Sequence, residues 1–206
     1  MEKINYNLAS KIKKCIKNGD HPLIIVISGV NGAGKTTLAF HLSNILEIKQ
    51  RVSLGAIVKT LIVMNPKKKD YLKMNNYLSP LNAKDIQNQA LIISKATNSM
   101  ISKYYAGGVS CIIEGVQLLT RYLDKRCIQF HIKITDSKKY NKQLRNSDTR
   151  NPRYLSEKVF ENLLKVNDIL NNEMNLPSVH ILTNSKSLNE NINEALKKLI
   201  INLNIK

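Results

Sequence analysis

Tryptophan is absent from this chain and phenylalanine occurs only three times, which leaves little material for an aromatic platform on which nucleic-acid bases could stack. Cysteine is equally sparse. Cys15, Cys111 and Cys127 are odd in number and show no Cys-x-x-Cys spacing, so neither a disulfide framework nor a thiolate metal site is expected. Cys111 and Cys127 fall in apolar, strand-like runs, where a thiol behaves as a small hydrophobe, and a reduced cytoplasmic protein is the expectation. The longest purely apolar runs, such as "LIIVI", are about five residues, far short of the roughly 20 that a membrane helix requires. The first twenty residues carry acid and amide groups without an apolar stretch, so they are not expected to act as a secretory signal. His21, His41, His131 and His180 are too dispersed to form a metal pattern, and His131 alternates with apolar neighbours like a core or crevice residue.

Negative charge is also scarce: 15 acidic residues face 32 basic ones, a net charge of +17. Such a field gathers anions, whether nucleic acid, a membrane surface or phosphorylated metabolites. The lysines are scattered apart from Lys67 to Lys69, and the abundance of Lys, Asn and Ile matches what an A/T-rich coding sequence favours. Nucleic acid is therefore the less favoured partner. Arginine is rarer still, with six residues, of which Arg145, Arg150 and Arg153 fall within nine positions.

What is present is a regular alternation of short apolar runs and longer helical patterns, the mark of a parallel sheet wound with helices. Residues 3–17 read as a basic amphipathic helix with Ile4, Leu8, Ile12 and Ile16 at four-residue spacing, so residues 1–20 form a helical appendage and 21–206 the main domain. Strands are expected at 23–28, 51–54, 109–115, 127–134 and 178–182, and helices at 35–47, 84–105, 136–146, 154–172 and 188–203. The expected architecture is α/β: a five-stranded parallel sheet in nucleotide-kinase order 2-3-1-4-5, helices on both faces, and an arginine-bearing lid.

Gly29-x-x-x-x-Gly34-Lys35-Thr36 matches the phosphate-binding loop in full, with a strand before it and a helix after it. Glycine is needed at 29, 32 and 34 because the backbone must curl until its N–H groups point inward, with no side chain blocking the phosphates. The helix beginning at Lys35 adds its positive dipole end. Gly29, Asn31, Gly32, Ala33, Gly34, Lys35, Thr36 and Thr37 are thus the candidate nucleotide contacts. Lys35 reaches the β- and γ-phosphate oxygens, the Thr36 hydroxyl is placed for Mg²⁺, and Thr37 approaches the α-phosphate.

Neither Asn-Lys-x-Asp nor Asp-x-x-Gly occurs, which excludes a GTP switch, and no strand ends in the Asp-Glu of motor ATPases. The run "CIIEG" instead ends in a lone Glu114. One carboxylate at a strand's carboxyl end suits either holding Mg²⁺ through water or taking a proton from a substrate hydroxyl. Arg145, Arg150 and Arg153 follow the fourth strand and its helix, where nucleotide kinases carry a lid, and could neutralise charge on the transferring group. A solvated basic loop is the alternative. Arg51, Arg121 and Arg126 read as ordinary surface residues.

Four stretches, "PLIIVISGVNGAGKTTLAFHLSNIL", "IQNQALIISKATNSMISKYYAGGVSCIIEGVQLL", "RNPRYLSEKVFENLLKVNDIL" and "LPSVHILTN", resemble the P-loop domain of 2-phosphoglycerate kinases in order and spacing. The piece "GGVSCIIEGVQLL" is similar to that family's Glu-Gly-Val-His-Leu segment, and uridine kinases and phosphoribulokinases share a similar Glu-Gly turn. The resemblance spans about 150 residues. It implies an ATP- and Mg²⁺-dependent kinase with Lys35, Glu114, Arg145, Arg150 and Arg153 catalytic and Thr36 and Glu114 at the metal. This sequence departs from the family where the acceptor binds: Gly55 and Val58 stand near the usual Asp and Arg, Lys59 is the nearest cation, and Gln117 replaces a histidine. The family's amino-terminal ATP-cone region has no counterpart.

The leading expectation is phosphoryl transfer to a hydroxyl of a small metabolite, which can itself be anionic. A nucleic-acid end kinase or RNA-binding P-loop protein, and a nucleotide-binding regulatory switch without transfer, are the alternatives.

Overall fold

The structure, a computed structural model, describes residues 2–19, 22–65, 81–145 and 156–205. In chain order these form α1 (Tyr6–Asn18), β1 (Ile24–Gly29), α2 (Lys35–Leu46), β2 (Gln50–Ser53), α3 (Leu54–Met64), α4 (Ala83–Ala106) and β3 (Cys111–Gly115). A 3₁₀ turn (Thr120–Tyr122) leads to β4 (Ile128–Lys133), α5 (Ser137–Arg145), α6 (Glu157–Glu173), β5 (Val179–Thr183) and α7 (Leu188–Asn202). All four strand pairings are parallel and the order is β2-β3-β1-β4-β5, the expected 2-3-1-4-5.

β1 explains why the sheet has two covered faces. Each of its six residues is buried, as a central parallel strand with helices on both sides must be. Alternate side chains feed two cores: Ile25 and Ile27 join a cluster with Ile12 of α1, Leu42 of α2 and Leu196 of α7, whereas Ile24 and Val26 join Leu54 and Val58 of α3 with Ile93 and Ile101 of α4. Full burial of each such side chain contributes about 1.5–3 kcal/mol. Local signals agree with these ends. Asn82 and Asp85 form a reciprocal capping box at the start of α4, as Ser187 and Glu190 do at α7, and α4 stops at Gly107-Gly108. No described helix is long and apolar enough to cross a membrane.

The structure corrects one expectation. The run expected as a strand at 51–54 is a strand over Gln50–Ser53, and Leu54 already opens α3, a helix that was not expected. Leu54 and Val58, one helical turn apart, are its buried residues, and the rest of "LGAIVKTLIVM" is too uniformly apolar to show a helical period. α3 docks tightly because Gly115 lets it: a Cβ at Gly115 would lie 2.9 Å from the Leu54 Cβ. The first turn of α3 is thereby set beside the end of β3, next to Glu114.

Candidate active site

The loop between β1 and α2 lies at the carboxyl ends of the strands, where open α/β sheets bind ligands. Gly29, Gly32 and Gly34 all take positive φ, at 143°, 78° and 95°. At Gly32 the requirement is also steric, since a Cβ there would sit 2.2 Å from Leu144 Cδ2 of α5. Gly34 is the N-cap of α2 and no side chain caps the helix. Its first-turn N–H groups are therefore available to an anion, reinforced by the helix dipole. The Tyr140 hydroxyl of α5 donates to the Asn31 carbonyl and so pins the loop from outside. Lys35 is buried, with its ammonium 3.0 Å from the Val30 carbonyl, inside the curl of the loop.

Thr36 and Glu114 are 78 residues apart in sequence and meet at this point. The Thr36 hydroxyl donates to Glu114 Oε1 at 3.1 Å. Register does this: Glu114 sits opposite Ile27 of β1 on one side and Ser53 of β2 on the other, one step before the sheet ends. Glu114 is 7% exposed, so its carboxylate faces the loop and not bulk water. A hydroxyl and a carboxylate side by side at an uncapped helix start are hard oxygen donors of the kind Mg²⁺ takes alongside water and phosphate. Among the described residues no three His, Cys, Asp or Glu side chains cluster as a protein-only metal site would. Thr37 is exposed on the first turn of α2.

Beneath the loop lies a polar chain that sequence patterning had only placed as core or crevice. His131, fully buried, takes the Ser28 hydroxyl on Nδ1 at 2.8 Å and contacts Asn171 Oδ1 of α6 through Nε2 at 3.0 Å. Burial pushes the imidazole pKa down from 6.5 to about 4, with the nearby Lys35 cation acting in the same direction. Neutral His131 with its proton on Nε2 satisfies both bonds, accepting from Ser28 and donating to Asn171. Further along the crevice Asn184, which the sequence did not single out, accepts from the Thr135 and Asp136 amides at 2.8 and 3.0 Å and donates to the Asp136 carbonyl. It ties the turn after β4 to the turn after β5.

Of the arginine cluster, Arg145 ends α5, is exposed, and donates to Asn141 one turn back. Arg150 and Arg153 lie outside the described residues. The other three arginines are engaged on the surface: Arg51 over the Phe40 ring, Arg121 with Glu173, and Arg126 with Asp124. On the acceptor side, Val58 is 1% exposed and belongs to the core, so it cannot face a ligand, while Gly55 and Lys59 are exposed. Gln117 is buried on the turn after β3 and donates to Gln89 of α4 at 3.4 Å. The sequence signal for Gln89 is a long polar side chain at a core-facing step of a helix whose other buried residues are apolar or, at Ser94 and Thr97, small hydroxyls.

With this geometry the chain has the fold of P-loop kinases. A gluconokinase from Sinorhizobium meliloti superposes with a TM-score of 0.59 at 14% identity, covering 89% of this chain and 94% of its own. A shikimate kinase from Acinetobacter baumannii gives 0.56 at 16% identity over 94% and 99% of the two chains. A thymidylate kinase from Candida albicans gives 0.53 at 13% over 90% and 94%. No protein-family model matches the sequence, and no curated protein matches it either.

Proposed function

We propose that the chain is an ATP- and Mg²⁺-dependent kinase that moves the γ-phosphoryl group of ATP to a hydroxyl of a small molecule, with its donor half organised like that of 2-phosphoglycerate kinases. The observation that carries this is the Thr36–Glu114 pair at 3.1 Å beside Lys35 and the uncapped start of α2. A phosphate-binding curl alone would serve any nucleotide-binding protein. A lone buried carboxylate beside it is what transfer to a hydroxyl requires. The three structural neighbours, a gluconokinase, a shikimate kinase and a thymidylate kinase, are in keeping with it.

In this reading the loop amides from Gly29 to Thr37 and the Lys35 ammonium bind the phosphate oxygens and hold the γ-phosphorus in line with the acceptor. Thr36 and Glu114 would hold Mg²⁺, which when bound would supply neutralisation of the phosphate charge. Glu114 also accepts the proton that the acceptor hydroxyl sheds as its oxygen forms the new P–O bond and the bond to ADP breaks. Arg145, Arg150 and Arg153 close over the transferring group and compensate its equatorial charge. Ser28, His131 and Asn171 keep the floor of the loop rigid and uncharged, so that Lys35 has no competing cation below it. Residues 21–206 carry every group in this assignment.

Transfer of label from [γ-³²P]ATP into a fractionated small-molecule pool tests it. Wild type gives a labelled product, and Lys35→Ala lowers its rate by about 10²–10³-fold. A Lys35→Ala variant with undiminished transfer would overturn the assignment.

A further inference from the structure

Gln89 differs from the other polar residues on the buried face of its helix, Ser94 and Thr97, whose hydroxyls donate to the Leu91 and Ile93 carbonyls. The buried face of α4 runs through Ile86, Gln89, Ile93 and Thr97 at three- and four-residue spacing, and Gln89 is 4% exposed. A hydrocarbon side chain would fill that position without cost. Instead an amide lies there whose Nε2 has no hydrogen-bond partner. Among the described residues one other buried side-chain atom lacks a hydrogen bond, Oε2 of Glu173, and it is paired with the Arg121 guanidinium. Gln89 Nε2 belongs to a neutral amide and forms no ion pair. Its own carbonyl is taken up by the Gln117 amide, so two N–H donors remain to be satisfied, and a buried donor left unsatisfied is costly.

The position of this donor gives it meaning. Gln117 follows Glu114 by three residues, so their Cα atoms lie within about 11 Å of each other, past the carboxyl end of β3, and in the kinase reading above the acceptor hydroxyl meets the phosphate at this end. The wall formed there by α3 is uncharged except at Lys59, which is exposed; Leu54 and Val58 point into the core and Gly55 has no side chain. We infer that the Gln89 amide, oriented by Gln117, donates to an oxygen of the phosphoryl acceptor, and that the acceptor is an unphosphorylated polyhydroxy compound of the sugar, sugar-acid or polyol class. This rests on the kinase reading above. A phosphomonoester carries up to two negative charges and is recognised by guanidinium or ammonium groups. A neutral amide pair offers directional donors suited to hydroxyl or single carboxylate oxygens, and strongly disfavours an analogue that leaves the buried donors unpaired.

The test compares four acceptors with labelled ATP: D-gluconate, shikimate, 2-phosphoglycerate and thymidylate. The expected result is transfer to one or both of the first two, with kcat/KM at least about tenfold above either phosphorylated probe. Gln89→Leu and Gln89→Glu should each raise KM for the accepted probe by about 10–100-fold while leaving KM for ATP within about twofold. Gln89→Leu should keep or raise Tm, since it removes the orphaned donor. Preference for 2-phosphoglycerate or thymidylate overturns the inference and leaves the kinase reading standing. So does an unchanged acceptor KM with a lowered Tm, which would mean that the amide serves a buried structural water. Transfer to none of the four also overturns it, and Lys35-dependent ATP hydrolysis in the same reactions then decides whether the kinase reading falls as well.

Discussion

The two ends of the crevice share strand β3 and are made of different materials. The donor end is backbone: uncapped amides, a glycine curl that a Cβ at position 32 would strain and crowd against Leu144, and one ammonium folded into the loop. The proposed acceptor end is side chain: carbon from α3 and a pair of glutamine amides joined at 3.4 Å. Phosphate looks the same in every nucleotide, so a short contiguous stretch of main chain is enough to hold it. Acceptors differ, so their binding wall has to come from side chains that can change, brought from separate helices. In the proposed reaction Glu114, between the two, serves both ends.

The largest expected effect sharpens this division at its boundary. Glu114→Gln keeps the shape and an oxygen for the Thr36 hydroxyl but loses the negative charge and the base, and should lower kcat by about 10²–10⁴-fold. Labelled phosphate transfer alongside equilibrium nucleotide binding checks it, and an unaltered kcat would remove Glu114 from the reaction.

The floor of the donor end gives the next effect. The folded-state pKa of His131, about 4, lies below the ordinary 6.5, so between those values the unfolded chain binds more protons than the folded one. Stability is therefore complete above about pH 7 and falls as pH drops from 6.5 towards 4, by roughly 3 kcal/mol at most. Urea denaturation across that range should show a steeper acid loss for wild type than for His131→Gln. Equal slopes would mean that the imidazole is not held neutral.

Two glycines of the acceptor side separate close approach from mere exposure. Gly115→Val forces Leu54 off β3 and should cost about 1–3 kcal/mol. Gly55, whose added Cβ would meet only Ser53 Oγ at 3.6 Å, should accept alanine with a gain of about 0.5–1 kcal/mol. Chemical denaturation of both variants gives the signs directly. The smallest effect concerns the cysteines: burial raises Cys111 to about 12 and Cys127 to about 11, so in the folded protein a thiol reagent at neutral pH should label Cys15 alone. Rapid labelling at three sites would indicate an opened sheet.

Much of this fold was legible because its signals are local. β1, the curl and α2 are contiguous, and the capping boxes at Asn82 and Ser187 each span four residues. α3 was not legible, since "LGAIVKTLIVM" is apolar on all sides and only docking against Gly115 selects Leu54 and Val58 as its inner face. Glu114 could be picked out as a strand-end acid, but its partner could not. Gln89 was visible as a letter in the helix stripe and gained significance only from an unpaired atom.

What the sequence determined by itself is the phosphate cradle, because a glycine curl, a lysine and a threonine in consecutive positions need no distant part of the chain to take their shape. What only the tertiary structure decided is everything that faces the cradle: Glu114 against Thr36, His131 against Ser28, Tyr140 against Asn31, Gln117 against Gln89. Those pairs are separated by 28 to 109 residues. They meet because burying both faces of β1 forces β3 and β4 alongside it in one register, and no local pattern encodes which residue arrives opposite which.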